Sequence, residues 1–546
     1  MAEENIKDRL QERLQNKAFF DPQKKVLFLS ETVSDLDPEV MNYIAMLQNA
    51  GEITENDIER VEYAKLAEKQ RAGMQGKEHE TVTLQDAHDL FDKATSWSAS
   101  DIHIRKHENH AEVLFRVDGR LQPYTQWPAE YAYRLCSTIY GAMADVAEPT
   151  FTPTQTQAAR IATTEMLPES LYGIRISCLP SVGGFLFELR LLYDDTGVNQ
   201  GNTRSRLKSL GYSQMQAQLI EYMKQRSSGI NVLAGPTGSG KSTTQKHVLE
   251  SLAIERPDLN IMTVEDPPEY PMLGVVQVPV VVGGRGAEED RKKAFGDTIR
   301  AVLRSDPDII MIGEVRDQET AHLALRAAMT GHQVWTTLHA NSAFAIISRM
   351  VDLLGGEVRN PLNVIADNSC LTGLVFQRLI THLCPECSIS LNDMSRDQLR
   401  SNGMSRVINC LSQLVDLRSK DIDIRFSSGQ GCPACDYKGE KGRTVLSETV
   451  APDPEMLRLI RESSTLSDAQ HYWVQSQGGK TILQHALDKI KAGKIDPVSA
   501  QNALGPLTAD RFFEGGKLEG EEIQGLFDTK AAEDFFDSEE EAQAEG

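Results

Sequence analysis

What this 546-residue sequence lacks narrows the field first. No stretch approaches the ~20 consecutive apolar residues that a membrane-spanning helix needs. The longest apolar run, VVQVPVVV at 275–282, is interrupted by a glutamine and a proline. The amino-terminal MAEENIKDRLQERLQ is charged almost from its start and has no apolar segment of the kind a secretory signal carries. These absences predict a cytoplasmic protein that meets a membrane only through partners. Positive charge is scarce as well: 57 Lys and Arg stand against 79 Asp and Glu, a net charge of −22. Nucleic-acid binding needs clustered cations for phosphate contacts, so no direct nucleic-acid partner is expected. Eight cysteines are too few for a disulfide scaffold in a chain this long, which leaves their spacing as the informative feature.

What is present, 40% hydrophobic and 25% charged residues, is ordinary for a globular protein, and the length suggests roughly two to four domains. Residues 1–80 read as a polar helical docking region, with VMNYIAMLQ (Val40 to Gln48) at helical spacing. From 81 to 200 the texture changes to a compact α+β unit. SDIHIRKH (100–107) and AEVLFRVDGRLQPY (111–124) alternate apolar and polar residues, and YGIRISCLP (172–180) and FLFELRLLY (185–193) form a second strand pair. A polar link, DDTGVNQGNTRSR (194–206), follows. Residues 201–380 alternate short apolar runs with helical segments, the pattern of a parallel sheet covered by helices. Strands are expected at INVLAG (230–235), NIMTVED (260–266), DIIMIGE (308–314) and QVWTTLHA (333–340), all ending in residues suited to ligand binding. Four cysteines fall within 381–450, and 451–505 read as helical. The end, 506–546, is an acidic, disordered tail by composition; its Phe doublets offer short docking peptides as the alternative.

The strongest motif is GPTGSGKST, comprising Gly235, Pro236, Thr237, Gly238, Ser239, Gly240, Lys241, Ser242 and Thr243. Following a strand and opening a helix, it matches a phosphate-binding loop whose backbone N–H groups and helix N-terminus face phosphate oxygens. Lys241 then reaches the β- and γ-phosphates and Ser242 ligates Mg²⁺. Nothing resembles a guanine-reading loop, so ATP is the expected nucleotide. TVEDPPEY (263–270) sets Glu265 at a strand tip with Glu269 beyond it; a carboxylate there polarises an attacking water, though an acidic turn capping the next segment fits as well. TTLHAN places His339 past another strand end, where a lone histidine is equally a packed or surface residue. DPDIIMIGEVRD (306–317) reads as the buried strand that ordinarily ends in a metal-holding aspartate; here that position is Gly313, and Glu314 follows.

Taken in this order, GPTGSGKST, TVEDPPE, IIMIGEVRD and TTLHAN resemble the secretion ATPases of type II secretion and type IV pilus assembly, the GspE/PilB type. The joining text, IRAVLRSDPD and ETAHLALRAAMTGH, matches too, as do SASDIHI and FRVDGRL upstream. The resemblance implies an α/β, RecA-like P-loop motor, a preceding PAS-like α+β domain and a zinc-binding insertion. It implies that Glu314 completes the Mg²⁺ shell through water, that Glu265 with Glu269 behind it activates water, and that His339 senses the γ-phosphate. Arg175 and Arg190, otherwise strand residues facing solvent, are implied to reach a neighbour's γ-phosphate. One departure stands out: the family's HGE turn between these arginines is GGF here, Gly183 to Phe185.

Cys384, Cys387, Cys432 and Cys435 form two C-x₂-C pairs with 44 residues between them, longer than a compact zinc ribbon. Their flanks, QRL and GEKGR, match the family's structural Zn²⁺ insertion. Retraction members generally lack that insertion, so the resemblance favours assembly. Cys136, Cys178, Cys370 and Cys410 read as packed thiols. The resulting expectation is a cytoplasmic, homohexameric Mg²⁺–ATPase, peripheral to the inner membrane through a platform protein and driving pilus or pseudopilus assembly, with the 194–206 link as hinge. A retraction motor, a nucleic-acid motor and a regulatory subunit without turnover are the alternatives.

Overall fold

A computed structural model describes residues 18–21, 25–30, 38–49, 53–54, 57–61, 84–145, 150–162, 164–193, 203–280, 288–355, 358–394, 404–417, 419, 421–463 and 465–509. The acidic tail from 510 and residues 194–202 of the expected hinge lie outside the described residues; the rest of that link belongs to a helix, Thr203–Leu210. The chain divides into two units, Met1–Asp195 and Thr196–Gly546.

Near the amino terminus, β1 (Ala18–Asp21) pairs antiparallel with β2 (Val26–Ser30), which pairs parallel with β3 (Ile58–Val61). The helix Pro38–Asn49 contributes Val40, Tyr43 and Leu47 to a core with Leu27 and Leu29. The helical reading of 1–80 is therefore corrected: its one periodic segment is a helix, but the described remainder is largely strand. VLFLS is a short apolar run without a helical period, and such a run is a buried strand as readily as a helix segment.

The next part alternates as its sequence requires. The strands β4 (Asp101–Lys106), β5 (His110–Val117), β6 (Arg120–Pro128), β7 (Gln157–Ile161), β8 (Leu171–Ser181) and β9 (Gly184–Tyr193) form an antiparallel sheet in the order β6-β5-β4-β9-β8-β7. Ile102, Ile104, Phe115, Ile174, Ile176 and Phe187 share a core with Ala87, Leu90 and Phe91 of the helix Leu84–Ser96 and with Leu135 of the helix Ala129–Thr138. Polar side chains take the other face, the clean alternation of a sheet covered on one side.

In the second unit, β10 (Gly229–Ala234), β11 (Ile261–Glu265), β12 (Val276–Pro279), β13 (Ile309–Ile312), β14 (Gln333–Leu338) and β15 (Leu371–Leu383) run parallel, and all four expected strands are among them. Beyond the short pair β16 (Ile389–Ser390) and β17 (Arg425–Phe426), β18 (Glu440–Val450) returns antiparallel to β15. The order is β12-β11-β13-β14-β10-β15-β18, so β14 separates the phosphate-loop strand from β13. Helices cover both faces, which is why residues of β10, β13 and β14 are buried throughout.

Two boundaries differ from the sequence reading. The stretch 381–450 ends in a strand of the main sheet rather than outside it. The helices of 451–505 also divide between two cores. Met456, Leu457, Ile460 and Trp473 join the core that holds Ile230, Val232 and Ile312, whereas Leu483, Ala486 and Ile490 pack with Ile380, Phe426 and Leu446. Trp473 is 2% exposed, with its ring 5.8 Å from that of Phe344. Trp473→Ala is expected to cost about 3–5 kcal/mol, the range for truncating a buried aromatic, seen as an earlier urea unfolding transition.

Candidate functional site

The phosphate loop is held by the strand beside it. A Cβ on Gly235, where φ is +153°, would lie 2.2 Å from the Gln377 carbonyl oxygen of β15, so only glycine fits there. The Gln377 side chain is fully buried; its Nε2 donates to the Ser239 carbonyl at 2.7 Å, and its Oε1 accepts from the Tyr212 hydroxyl at 2.6 Å. Tyr212 also shares a 3.2 Å hydrogen bond with Thr244 at the start of the helix Lys241–Glu255. This buried polar strut sets the loop's shape, and a buried network in which each group is paired is rigid. Pro236, Thr237 and Gly238 form the exposed crest, while Gly240, Lys241, Ser242 and Thr243 are half-buried at the helix start. Lys241 Nζ donates to the carbonyls of Gly235 and Pro236 at 2.9 and 3.1 Å. Burial lowers its pKa, while Glu314 and Glu269 act to raise it, so both carboxylates lie within electrostatic reach of this ammonium.

Each residue of GEVRD has a separate task. Gly313 donates its N–H to the Val264 carbonyl at 2.9 Å, and a Cβ on it would sit 3.2 Å from that same oxygen and close to Glu265. Glu314 faces His339 Nε2 at 3.2 Å through one oxygen and accepts from Arg316 Nε at 2.7 Å through the other. Val315 packs into the core. Asp317 caps the helix Gln318–Met329 by accepting from the Thr320 N–H. Thr336 and Thr337 of β14 donate to the carbonyls of Ile312 and Gly313 at 2.8 and 2.7 Å, clamping the tip of β13. Ser342, just beyond TTLHAN, caps the helix Ala343–Leu354.

Glu265 closes β11 at 7% exposure. Its Oε1 accepts from Thr263 Oγ1 at 2.7 Å and Gln277 Nε2 at 2.9 Å. Burial nonetheless raises its pKa above the usual carboxylate value, and the charge of Glu269 adds to the rise. The carboxylate is thus a stronger base than an exposed glutamate. Asp266 is committed elsewhere, in a two-pronged pair with Arg291 at 2.6 and 2.9 Å. Lys246, buried on the phosphate-loop helix, lies 5.6 Å over the Tyr270 ring and ties that helix to the acidic segment.

The four motif cysteines meet because β15 and β18 are antiparallel neighbours, with Leu383 in register with Glu440 at the end that carries them. Cys384 and Cys432 Sγ atoms are 3.7 Å apart, as are those of Cys387 and Cys435, and all four sulfurs lie within 4.8 Å of one another. Sulfurs about 2.3 Å from a tetrahedral Zn²⁺ stand roughly 3.8 Å apart, so the arrangement is compatible with zinc. Burial pushes the Cys435 thiol up, but N–H groups of Cys432, Gly439 and Lys438 outweigh it and bring the pKa to about 6. Cys136, Cys178, Cys370 and Cys410 are buried.

Arg175 and Arg190 are register partners on β8 and β9, on the face opposite the first unit's core. Arg190 Nε donates to Asp101 Oδ1 at 2.8 Å, and Arg116 lies 3.4 Å from the same carboxylate. Arg160 is the register partner of Arg175 on β7. Arginines from four strands thus form a row interrupted by a buried aspartate; of it the sequence reading held Arg175 and Arg190 but not Arg116, Arg160 or Asp101.

The close approach at Gly313 makes a sharp expectation. Gly313→Asp, which restores the ordinary metal-holding residue type, should lower stability by about 1–3 kcal/mol through overpacking against Val264. An unchanged thermal melt would show that the space exists.

Comparison with known proteins places the chain in a family. The family model described as Type II/IV secretion system protein matches residues 77–505. Type II secretion system protein E of Pectobacterium carotovorum subsp. carotovorum is 33% identical over 470 residues, covering 81% of this chain and 84% of that protein. The type IV pilus assembly ATPase PilB of Thermus thermophilus is 32% identical over 397 residues, 72% of this chain and 40% of that longer protein. In fold, the X-ray structure of the Legionella pneumophila ATPase DotB aligns with a TM-score of 0.52 at 21% identity, covering 78% of this chain and 97% of that one. Phosphate loop, carboxylate-tipped strands and family match together identify the chain as a secretion ATPase belonging to the type II/IV secretion system protein family.

Proposed function

We propose that this ATPase is a magnesium-dependent, homohexameric ring at the cytoplasmic side of an inner membrane, where it drives assembly of a type IV pilus or a secretion pseudopilus through a membrane-embedded platform protein. The observation that carries the reading is the convergence of Lys241, Glu269, Glu314 and His339 at one sheet edge, since Lys241 lies within electrostatic reach of both carboxylates and Glu314 contacts His339. ATP phosphates take the loop from Gly235 to Thr243 and the positive helix start behind it. The Ser242 hydroxyl and the Glu314 carboxylate are hard oxygen donors of the kind Mg²⁺ prefers, and they would hold that ion. Bound there, the ion would supply positive charge to offset that on the transferring phosphate. Glu265 is the base for the attacking water, with Glu269, whose charge acts on both Glu265 and Lys241, behind it; its burial-raised pKa supports that role. His339 follows the γ-phosphate and passes its state to Glu314. Arg175 and Arg190 supply positive charge to a neighbouring subunit's nucleotide.

The cysteine cluster holds a structural Zn²⁺: four thiolates leave no open position. Its presence favours assembly over retraction, because retraction members of the family generally lack this insertion.

Lys241→Ala and Glu314→Gln are each expected to cut ATP turnover at least ~100-fold, the scale of losing a group that stabilises transferring charge. Glu265→Gln should do the same while leaving nucleotide affinity nearly intact, and phosphate-release and binding assays measure both. Turnover that survives Glu265→Gln and collapses in Glu269→Gln moves the base to Glu269. Replacing Cys432 and Cys435 together with alanine should lower the zinc content by one ion per chain, measured by mass spectrometry of the purified protein.

A further inference from the structure

A second cluster of ligand atoms lies far in sequence from the cysteines, on the hairpin joining β4 and β5. His107 and His110 flank a two-residue tip, Glu108–Asn109, and the His107 N–H donates to the His110 carbonyl at 2.8 Å. Their rings stack with centroids 4.8 Å apart and planes 26° from parallel. Glu112 stands two residues along β5 from His110, hence on the same face of the strand. One ligand atom from each of the three lies within 4.8 Å of the other two, and all three residues are half-buried.

We propose that His107, His110 and Glu112 form a binding site for a divalent late transition-metal ion, separate from the motor site and from the four cysteines. Two imidazoles and one carboxylate suit Zn²⁺, Ni²⁺ or Cu²⁺, whose affinities for such donors exceed those of the earlier divalent ions. Nitrogens about 2.0–2.1 Å from a tetrahedral ion stand roughly 3.3 Å apart, so small side-chain rotations close the triad. The backbone beneath is firmly placed. Lys106 pairs with Ala111 across the hairpin and with Phe185 on β9. The β8–β9 turn comes so close that a Cβ on Gly184 would lie 1.8 Å from the Lys106 carbonyl. Two of the donors therefore sit on one rigid strand and the third at the strand-to-turn junction, the arrangement that loses least entropy on binding. Three protein ligands leave a coordination position for water, unlike the closed cysteine set. Arg105, the register partner of Glu112 on β4, is exposed and has solvent into which to retreat when the ion enters.

The test uses tag-free, full-length protein already loaded with zinc, titrated with NiCl₂ at neutral pH by calorimetry, with zinc release followed in parallel. With the starting protein first brought to one zinc per chain, the cysteine complement, one Ni²⁺ per chain should bind the unaltered protein without zinc release. His107→Ala and His110→Ala should each weaken that binding more than about tenfold, a loss that removing even an outer partner of a metal ligand causes. Their thermal melts should match the unaltered protein without nickel. The proposal is overturned if the unaltered protein shows no such event, if binding persists in both histidine variants, or if the heat coincides with zinc release from the cysteines.

Discussion

The site is governed by the placement of β14 between β10 and β13. The strand that carries the phosphate loop and the strand that carries the acidic residue are not neighbours, so the carboxylate has to act beside the tip of an intervening strand. That tip belongs to His339, and its threonines clamp β13 through the carbonyls of Ile312 and Gly313. On its other side β13 lies so close to β11 that a Cβ at position 313 would stand 3.2 Å from the Val264 carbonyl oxygen, tighter than an ordinary contact. The acid therefore stands one residue later and one methylene longer, as Glu314, in contact with His339 at 3.2 Å. Gly313 follows from strand packing, and the carboxylate proposed to serve the metal stands one residue on.

Support for the loop comes from the opposite direction. β15 packs its backbone against Gly235 and sends Gln377 beneath the loop, then continues to the cysteine cluster, where β18 turns back along it. One antiparallel ribbon thus touches the phosphate loop in its middle and ends at four thiols. A metal held there would fix the ribbon's far end, and the buried Tyr212–Gln377 hydrogen bond fixes its middle.

Much of this was readable because parallel strands buried on both faces appear as short apolar runs with functional residues at their ends. β10, β11, β13 and β14 were all found in that way, and so were the residues at their tips. Residues whose role depends on distant partners were not. Gln377 entered the sequence reading only as the first residue of the QRL flank, and its partner Tyr212 is 165 positions away. Asp317 read as part of a catalytic motif, although its carboxylate caps a helix. The amino-terminal sheet was missed because its strands are four or five residues long beside a clear helical period. The return of β18 to the main sheet was hidden by the long insertion before it, since pairing across such a gap leaves no local pattern.

The central claim is that Glu314 and His339 act as one unit across adjacent strand tips. A double-mutant cycle of Glu314→Gln and His339→Asn on ATP turnover tests it most directly. Residues in one network couple by about 0.5–3 kcal/mol, whereas independent sites add within about 0.5 kcal/mol. The expected result is a double variant little worse than the more damaged single variant, a coupling above about 1 kcal/mol. Losses that simply add would contradict the claim and place the two side chains in separate roles.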